Sequence, residues 1–223
     1  KLFTKLGAKV PMLYDKPDGI NINKDCGSTH IGKLQSYVRD NKLCCGLAFD
    51  GDADRCLAVD ENGNLVDGDY LIAICAKDMK DRGVLKKNAV VGTIMTNMGF
   101  NKFCEENGMK FVSTKVGDRY VLEAMLQDGY NIGGEQSGHI ILLDYETTGD
   151  GQLSGATVLS IMKRTGDKLS SLAKVMERMP QVLINVKVSA EGKLAFYNDK
   201  EIKAEIKRVT DILGDRGRIL VRV

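Results

Sequence analysis

Tryptophan is absent from the 223 residues, histidine occurs twice and proline three times. With only His30 and His139 available, a His-rich zinc centre is excluded, so any metal here must be held by oxygen. The cysteines, at Cys26, Cys44, Cys45, Cys56, Cys75 and Cys104, form no CxxC pair, and adjacent Cys44 and Cys45 make a poor disulfide framework. Reduced thiols in a cytosol are expected. Long apolar runs are also missing: Leu71 to Ala76 is typical of the longest, far below the roughly 20 residues that span a bilayer. With no charged-then-apolar leader at its start, the chain is expected to be soluble and cytoplasmic, without a membrane partner. Charge of one sign is lacking as well. Lys+Arg 32 against Asp+Glu 30 leaves +2, with no basic run, so nucleic acid is not an expected partner.

What remains is an ordinary globular composition, 43% hydrophobic and 28% charged, able to build cores. At roughly 100–200 residues per domain the length allows one to three domains. Lys1 to Leu6 reads as the last turns of a helix closed by Gly7, and Arg218 to Val223 as an apolar strand with nothing after it. Both ends therefore suggest a fragment of a longer protein.

Between them, Ala8 to Tyr14 is a strand candidate, and a Gly/Asp/Asn-rich loop leads to a helix near Ile31–Asn41. Leu43 to Phe49 is apolar throughout, as in a strand covered on both faces. Cys56 to Val59, Glu61-Asn-Gly-Asn64 and Leu65-Val66 form a hairpin signal, followed by a helix over Gly68–Asp81. Strands at Ala89–Ile94, Lys110–Thr114, Asn131–Gly134 and His139–Leu143 alternate with helices at Asn97–Asn107, Asp118–Gln127, Gly151–Arg164 and Ser170–Met179. That alternation predicts an α/β fold, a mixed sheet with helices on both faces. Beyond Pro180, a half-buried strand at Val182–Val188 and an amphipathic helix at Asp199–Leu213 predict the start of an α+β domain.

Asp50-Gly-Asp-Ala-Asp-Arg55 places three carboxylates at i, i+2 and i+4 at the end of an apolar strand. Three like charges so close repel unless a cation sits among them, and oxygen donors suit Mg²⁺ or Ca²⁺. An EF-hand using Asp50, Asp52, Asp54 and Glu61 is rejected, because Arg55 replaces the obligatory glycine and strands flank the loop. A nucleophilic aspartate of a DxD phosphohydrolase is the second reading and a solvated acidic turn the third. Gly133-Gly-Glu-Gln-Ser-Gly-His139 lets backbone approach a ligand, while Glu135, Gln136 and Ser137 carry groups that grip sugar hydroxyls. A hairpin turn alone explains the same glycines, and His139 is expected to be structural. Lys115-Val-Gly-Asp-Arg119 enters a helix and offers an anion site through Gly117, Lys115 and Arg119, with Asp118 equally readable as an N-cap. All three loops follow strands at their carboxyl ends, where open α/β sheets bind ligands.

On these residues the sequence resembles the α-D-phosphohexomutase superfamily, in its glucosamine-phosphate branch. Asp50 to Arg55 is similar to the family's metal loop and Gly134-Glu-Gln-Ser-Gly-His139 to its sugar loop. Pro17-Asp-Gly-Ile-Asn-Ile-Asn23, Cys26-Gly-Ser-Thr-His30, Val66-Asp-Gly-Asp69, Val116-Gly-Asp-Arg-Tyr120 and Thr147-Thr-Gly-Asp150 extend the likeness, while Ala53 stands where this branch often has Gly. The resemblance implies two consecutive phosphohexomutase-type α/β domains and part of a third. These are residues 1–82 (second family domain, truncated), 83–179 (third) and 180–223 (opening of the fourth). It implies interconversion of glucosamine 6-phosphate and 1-phosphate through a phosphoserine absent from this chain. Mg²⁺ would lie on Asp50, Asp52 and Asp54, with Arg55 assisting catalysis. Glu135, Gln136, Ser137, Gly117, Asp118 and Arg119 would bind substrate, and the parent is a candidate homodimer. Rivals are a phosphomannomutase/phosphoglucomutase of the same fold and a non-catalytic Ca²⁺ or sugar-phosphate module.

Overall fold

A computed structural model describes residues 1–221, which cluster as one unit over Lys1–Met179 and another from Pro180 onward. In the first unit a short helix α1 (Leu2–Lys5) ends at Gly7, whose φ of +91° closes it, and α2 (Gly32–Asp40) follows. β1 (Cys45–Phe49), β2 (Cys56–Asp60) and β3 (Leu65–Val66) form an antiparallel sheet in that order. The β2–β3 hairpin turns as expected, with the Asp60 carboxylate accepting from the backbone N–H groups of Asn62 and Asn64 at 2.9 and 2.8 Å.

α3 (Gly68–Asp81) is buried on nearly every side, from Leu71 through Ala76 and again at Met79, so it is a core helix rather than a surface one. The second sheet runs β5-β4-β6-β7: β4 (Ala89–Thr93), β5 (Lys110–Thr114) and β6 (Ile132–Gly134) are parallel, and β7 (Ile140–Leu142) is antiparallel to β6. Parallel neighbours require crossovers, here α4 (Met98–Glu106) and α5 (Asp118–Asp128). Alternation along β4 sends Val90 toward α3, α4 and α6 (Gly151–Thr165), with Phe100, Phe103 and Val158, and sends Ala89 and Val91 toward Val121 and Met125 of α5. Helices thus cover both faces.

β1 is covered on both faces as expected, although its burial alternates: a Cβ at Gly46 would meet Val38 and Leu34 of α2, while Leu47 packs against the main core on the other side. Several expectations are corrected. Ala8–Tyr14 is not a strand, since no neighbour pairs with it among the described residues. The helix expected over Ser170–Met179 is only α7 (Leu169–Leu172) and a 3₁₀ turn at Ala173–Val175, after which Met176 is extended. There the Asn97 side chain satisfies the Met179 backbone, accepting from its N–H and donating to its carbonyl at 2.9 Å each, while Pro180 disfavours helix at the residue before it.

In the second unit α8 (Ala190–Phe196), which the sequence pattern did not predict, is capped by Ser189, and α9 (Lys200–Leu213) by Asp199. Val182–Val188 and residues 218–221 carry no strand pairing, since a strand exists only with a partner. The last two residues of the expected terminal strand, Arg222 and Val223, lie outside the described residues. No helix among the described residues is long and apolar enough to cross a membrane.

Asp67 caps α3 by accepting from the Tyr70 N–H and pairs with the Arg178 guanidinium at 2.7 Å. Burial pushes its carboxyl above the usual range, and Arg178 opposes that shift. A carboxyl whose folded pKa is raised favours the native state more as pH falls through that pKa. Arg178→Gln is therefore expected to cost about 1–2 kcal/mol near neutral pH, below the full penalty of an isolated buried charge because Arg178 is partly exposed. The cost should narrow at acid pH, as Asp67 becomes protonated in both proteins and the neutral carboxyl no longer needs the guanidinium. Urea unfolding at both pH values checks this; an equal loss at each would sink it.

Candidate active site and metal loop

Residues 50–55 join β1 to β2 in a tight turn with Ala53 at φ +60°. One oxygen each from Asp50, Asp52 and Asp54 lies within 4.8 Å of the others, the only such trio of metal-capable side chains among the described residues. Oxygens around Mg²⁺ at about 2.1 Å stand roughly 3 to 4 Å apart, so small rotamer changes would close the trio on an ion. Asp54 Oδ1 is buried and has no hydrogen-bond partner, a state that costs about 1–3 kcal/mol unless something else binds it. The Arg55 Nε stands 3.7 Å from Asp50 and 3.8 Å from Asp54, and the Arg55 N–H donates to Asp50 at 3.2 Å. An all-oxygen donor set with an unsatisfied buried acceptor fits a hard divalent cation. The Asn21–Thr29 loop lies across this turn: a Cβ on Gly51 would meet the Ile22 side chain at 2.8 Å, and the Ser28 N–H donates to the Phe49 carbonyl.

Tertiary structure brings the second loop to the first. Between β6 and β7 the Glu135 N–H donates to the His139 carbonyl and the Gly138 N–H to the Glu135 carbonyl, making a tight hairpin. The Cys56 N–H donates to Gly138 at 3.0 Å, and Arg55 and His139 form a backbone bridge. His139, buried, places Nδ1 3.0 Å from Asp54 Oδ2. Glu135 Oε1 accepts from the Gly117 N–H at 3.0 Å, which draws in the third loop. Ser137 is exposed, while the Gln136 amide donates to Asp69 Oδ2 at 3.3 Å and so anchors the loop to α3. The fourth segment joins through the Gly151 N–H on the Ala53 carbonyl at 2.9 Å, with Asp150 capping α6 as expected.

The third loop is less engaged. Gly117, at φ +129°, occupies the cap position of α5, so the N-cap reading of Asp118 is corrected: Asp118 is already the first helical residue. Arg119 is exposed and pairs with Glu123 at 2.8 Å, a bond that raises its already high pKa. Sequence reasoning read His139 as structural and gave no role to Gly68 or Gly149, although both lie in the Val66–Asp69 and Thr147–Asp150 strings; a glycine opening a helix next to a glycine-rich loop was the available signal for Gly68.

An antiparallel sheet carrying an acidic turn, bridged to a mixed sheet carrying a glycine-rich polar loop and flanked by helices, defines a class. The chain belongs to the phosphoglucomutase/phosphomannomutase family, whose alpha/beta/alpha domain III matches residues 67–179. Among curated proteins it is 54% identical over 220 residues to the phosphoglucosamine mutase of Clostridium novyi (strain NT), covering 99% of this chain and 49% of that protein. It is likewise 54% identical over 222 residues to the phosphoglucosamine mutase of Clostridium acetobutylicum, covering 100% and 50%. The chain spans about half the length of the curated relatives it matches. A solved phosphoglucomutase/phosphomannomutase family protein from Burkholderia thailandensis superimposes with a TM-score of 0.70 at 25% identity, over 82% of this chain and 39% of that one. The Aspergillus fumigatus N-acetylphosphoglucosamine mutase in complex with GlcNAc-6P and magnesium gives 0.66 at 18% identity, over 85% and 45%, a likeness of fold.

Proposed function

We propose that the chain is the metal-loop and sugar-loop part of a phosphoglucosamine mutase, whose parent interconverts glucosamine 6-phosphate and glucosamine 1-phosphate. The observation that carries this reading is the joining of the Asp50–Arg55 turn to the Gly134–His139 hairpin, in a chain 54% identical to phosphoglucosamine mutases. A phosphoseryl group from outside these residues gives its phosphoryl to the sugar O1 hydroxyl: the serine O–P bond breaks, the new O–P bond forms and the hydroxyl proton passes to the serine oxygen that is released. The bisphosphate reorients, and its 6-phosphoryl returns to the serine. Mg²⁺ held by Asp50, Asp52 and Asp54 supplies neutralising charge for the phosphoryl oxygens. Arg55, between Asp50 and Asp54, offers a cation to the transferring group. Glu135, Gln136 and Ser137 face the sugar, with Gln136 also holding the loop through Asp69; Gly117, Asp118 and Arg119 orient the sugar or its phosphate.

In this reading residues 1–82, 83–179 and 180–223 are the second, third and opening fourth domains, with α3, which lies inside the domain III match that begins at residue 67, at the boundary of the first two. The unpaired state of all six cysteines supports a reducing cytoplasm, and the near-neutral charge supports a small phosphosugar rather than nucleic acid as partner. The product would enter cell-wall amino-sugar synthesis. Coupled-assay rates of the full-length protein on glucosamine, glucose and mannose 6-phosphates test the proposal. Glucosamine 6-phosphate should be turned over at least about tenfold faster, a difference of roughly 1.4 kcal/mol in barrier. Preference for glucose or mannose would move the protein to the phosphoglucomutase/phosphomannomutase branch.

A further inference from the structure

His139 lies 85 positions from Asp54 in sequence, yet Nδ1 of its ring is 3.0 Å from Asp54 Oδ2. The other ring nitrogen, Nε2, is 3.1 Å from the backbone nitrogen of Gly149. A backbone N–H can only donate, so Nε2 presents its lone pair and the ring proton sits on Nδ1, where it is donated to the carboxylate. The side chain is 4% exposed, and both nitrogens are engaged. Close approach on the Nε2 side depends on Gly149, where a Cβ would stand 2.6 Å from the ring and 2.7 Å from the Asp54 carbonyl. Asp118 Oδ2, the other carboxylate near the ring, is 4.0 Å from Nε2 and outside hydrogen-bond reach. Asp54 therefore has one oxygen tied down by the imidazole, while its second, Oδ1, is buried without a hydrogen bond and has only the Arg55 Nε, 3.8 Å away, as a charged neighbour.

We propose that His139 is a positioning residue for the metal loop: its Nδ1–H holds Asp54 Oδ2 so that Oδ1 is turned toward the cation. This rests on the reading of Asp50, Asp52 and Asp54 as a metal site. The physical logic is that of outer-shell hydrogen bonds, which fix the orientation of a ligating group before the ion arrives and whose loss typically costs 10–100-fold in metal affinity. The Nδ1 and Nε2 bonds can be separated. Asparagine places an amide N–H near the Nδ1 position and keeps the bond to Asp54. Glutamine reaches the Nε2 end, keeps an acceptor for the Gly149 N–H and loses the bond to Asp54.

The test uses the 223-residue chain with Mn²⁺ as probe, read by electron paramagnetic resonance with Mg²⁺ competition, and melting in EDTA as the control for folding. His139→Asn should bind within about threefold of wild type and His139→Gln at least about tenfold more weakly, with similar metal-free melting. A packing role alone would weaken both variants alike. Mn²⁺ binding by His139→Gln equal to wild type, or loss in His139→Asn as large as in His139→Gln, would overturn the proposal while leaving the metal site standing. Failure of wild type to bind Mn²⁺ would overturn both. A measurement without any variant stands beside these: long-range ¹H–¹⁵N correlation should show the His139 proton on Nδ1, with its resonance shifting on Mg²⁺ addition. An Nε2–H tautomer, or no shift with bound metal, refutes it.

Discussion

Gly68→Ala is expected to destabilise the first unit by about 2–4 kcal/mol, although alanine is the better helix former by about 1 kcal/mol. The collision decides the sign. A Cβ at Gly68 would stand 2.2 Å from the Glu135 carbonyl oxygen, 2.7 Å from the Gly138 nitrogen and 2.8 Å from the Gln136 carbonyl oxygen. All three are backbone atoms of the sugar loop, so no side chain can rotate aside, and the Gly68 N–H is itself bonded to Gln136. Either the helix start or the loop must move, and moving the loop displaces Glu135 and Ser137. Gly32→Ala is the control: Gly32 also opens a helix, but nothing lies within 4 Å of its Cβ position. It should be neutral or slightly stabilising. Urea unfolding followed by circular dichroism compares the two, and a Gly68→Ala protein as stable as Gly32→Ala would show that the helix–loop junction is not rigid.

Asp52→Asn should abolish most of the metal response while making the metal-free chain no less stable. Asp52 is the exposed member of the trio, so its removal leaves no buried group stranded. Without an ion, neutralising one of three clustered carboxylates relieves repulsion. With the ion, a charged donor is lost, and several kcal/mol of charge stabilisation during phosphoryl transfer goes with it, which is about 10²–10³-fold in turnover of the full-length protein. The two signs are opposite. Melting with and without Mg²⁺ should show a metal-dependent rise in wild type that shrinks or vanishes in Asp52→Asn, alongside an unchanged or higher metal-free midpoint. An undiminished rise would mean that the acidic turn is only solvated.

Where recognition is local, the sequence is a sufficient guide. Asp50, Asp52 and Asp54 are close because two-residue spacing in a turn makes them close, and the Asn62-Gly63 turn defines the β2–β3 hairpin by backbone preference. α3, α4 and α5 follow from apolar spacing within about a residue of their ends. The Ser170–Met179 segment failed as a helix because its ends bond to distant side chains, Ser170 N–H to Glu61 and the Met179 backbone to Asn97, information held 109 and 82 positions away. Val182–Val188 and Ala8–Tyr14 failed because alternation is only an invitation to pair, and pairing needs a second strand.

By itself, then, the sequence determined the chemistry: an oxygen-only donor set, a glycine-rich polar loop and the family that carries both. Only the tertiary structure decided how those pieces cooperate. It set Glu135 on Gly117, Gln136 on Asp69 and His139 behind Asp54, contacts spanning 18, 67 and 85 positions. Such contacts have no signature in local spacing, because they arise when packed sheets and α3 bring distant loop ends together, and when glycines at 68, 138 and 149 leave room for backbone to meet backbone or ring.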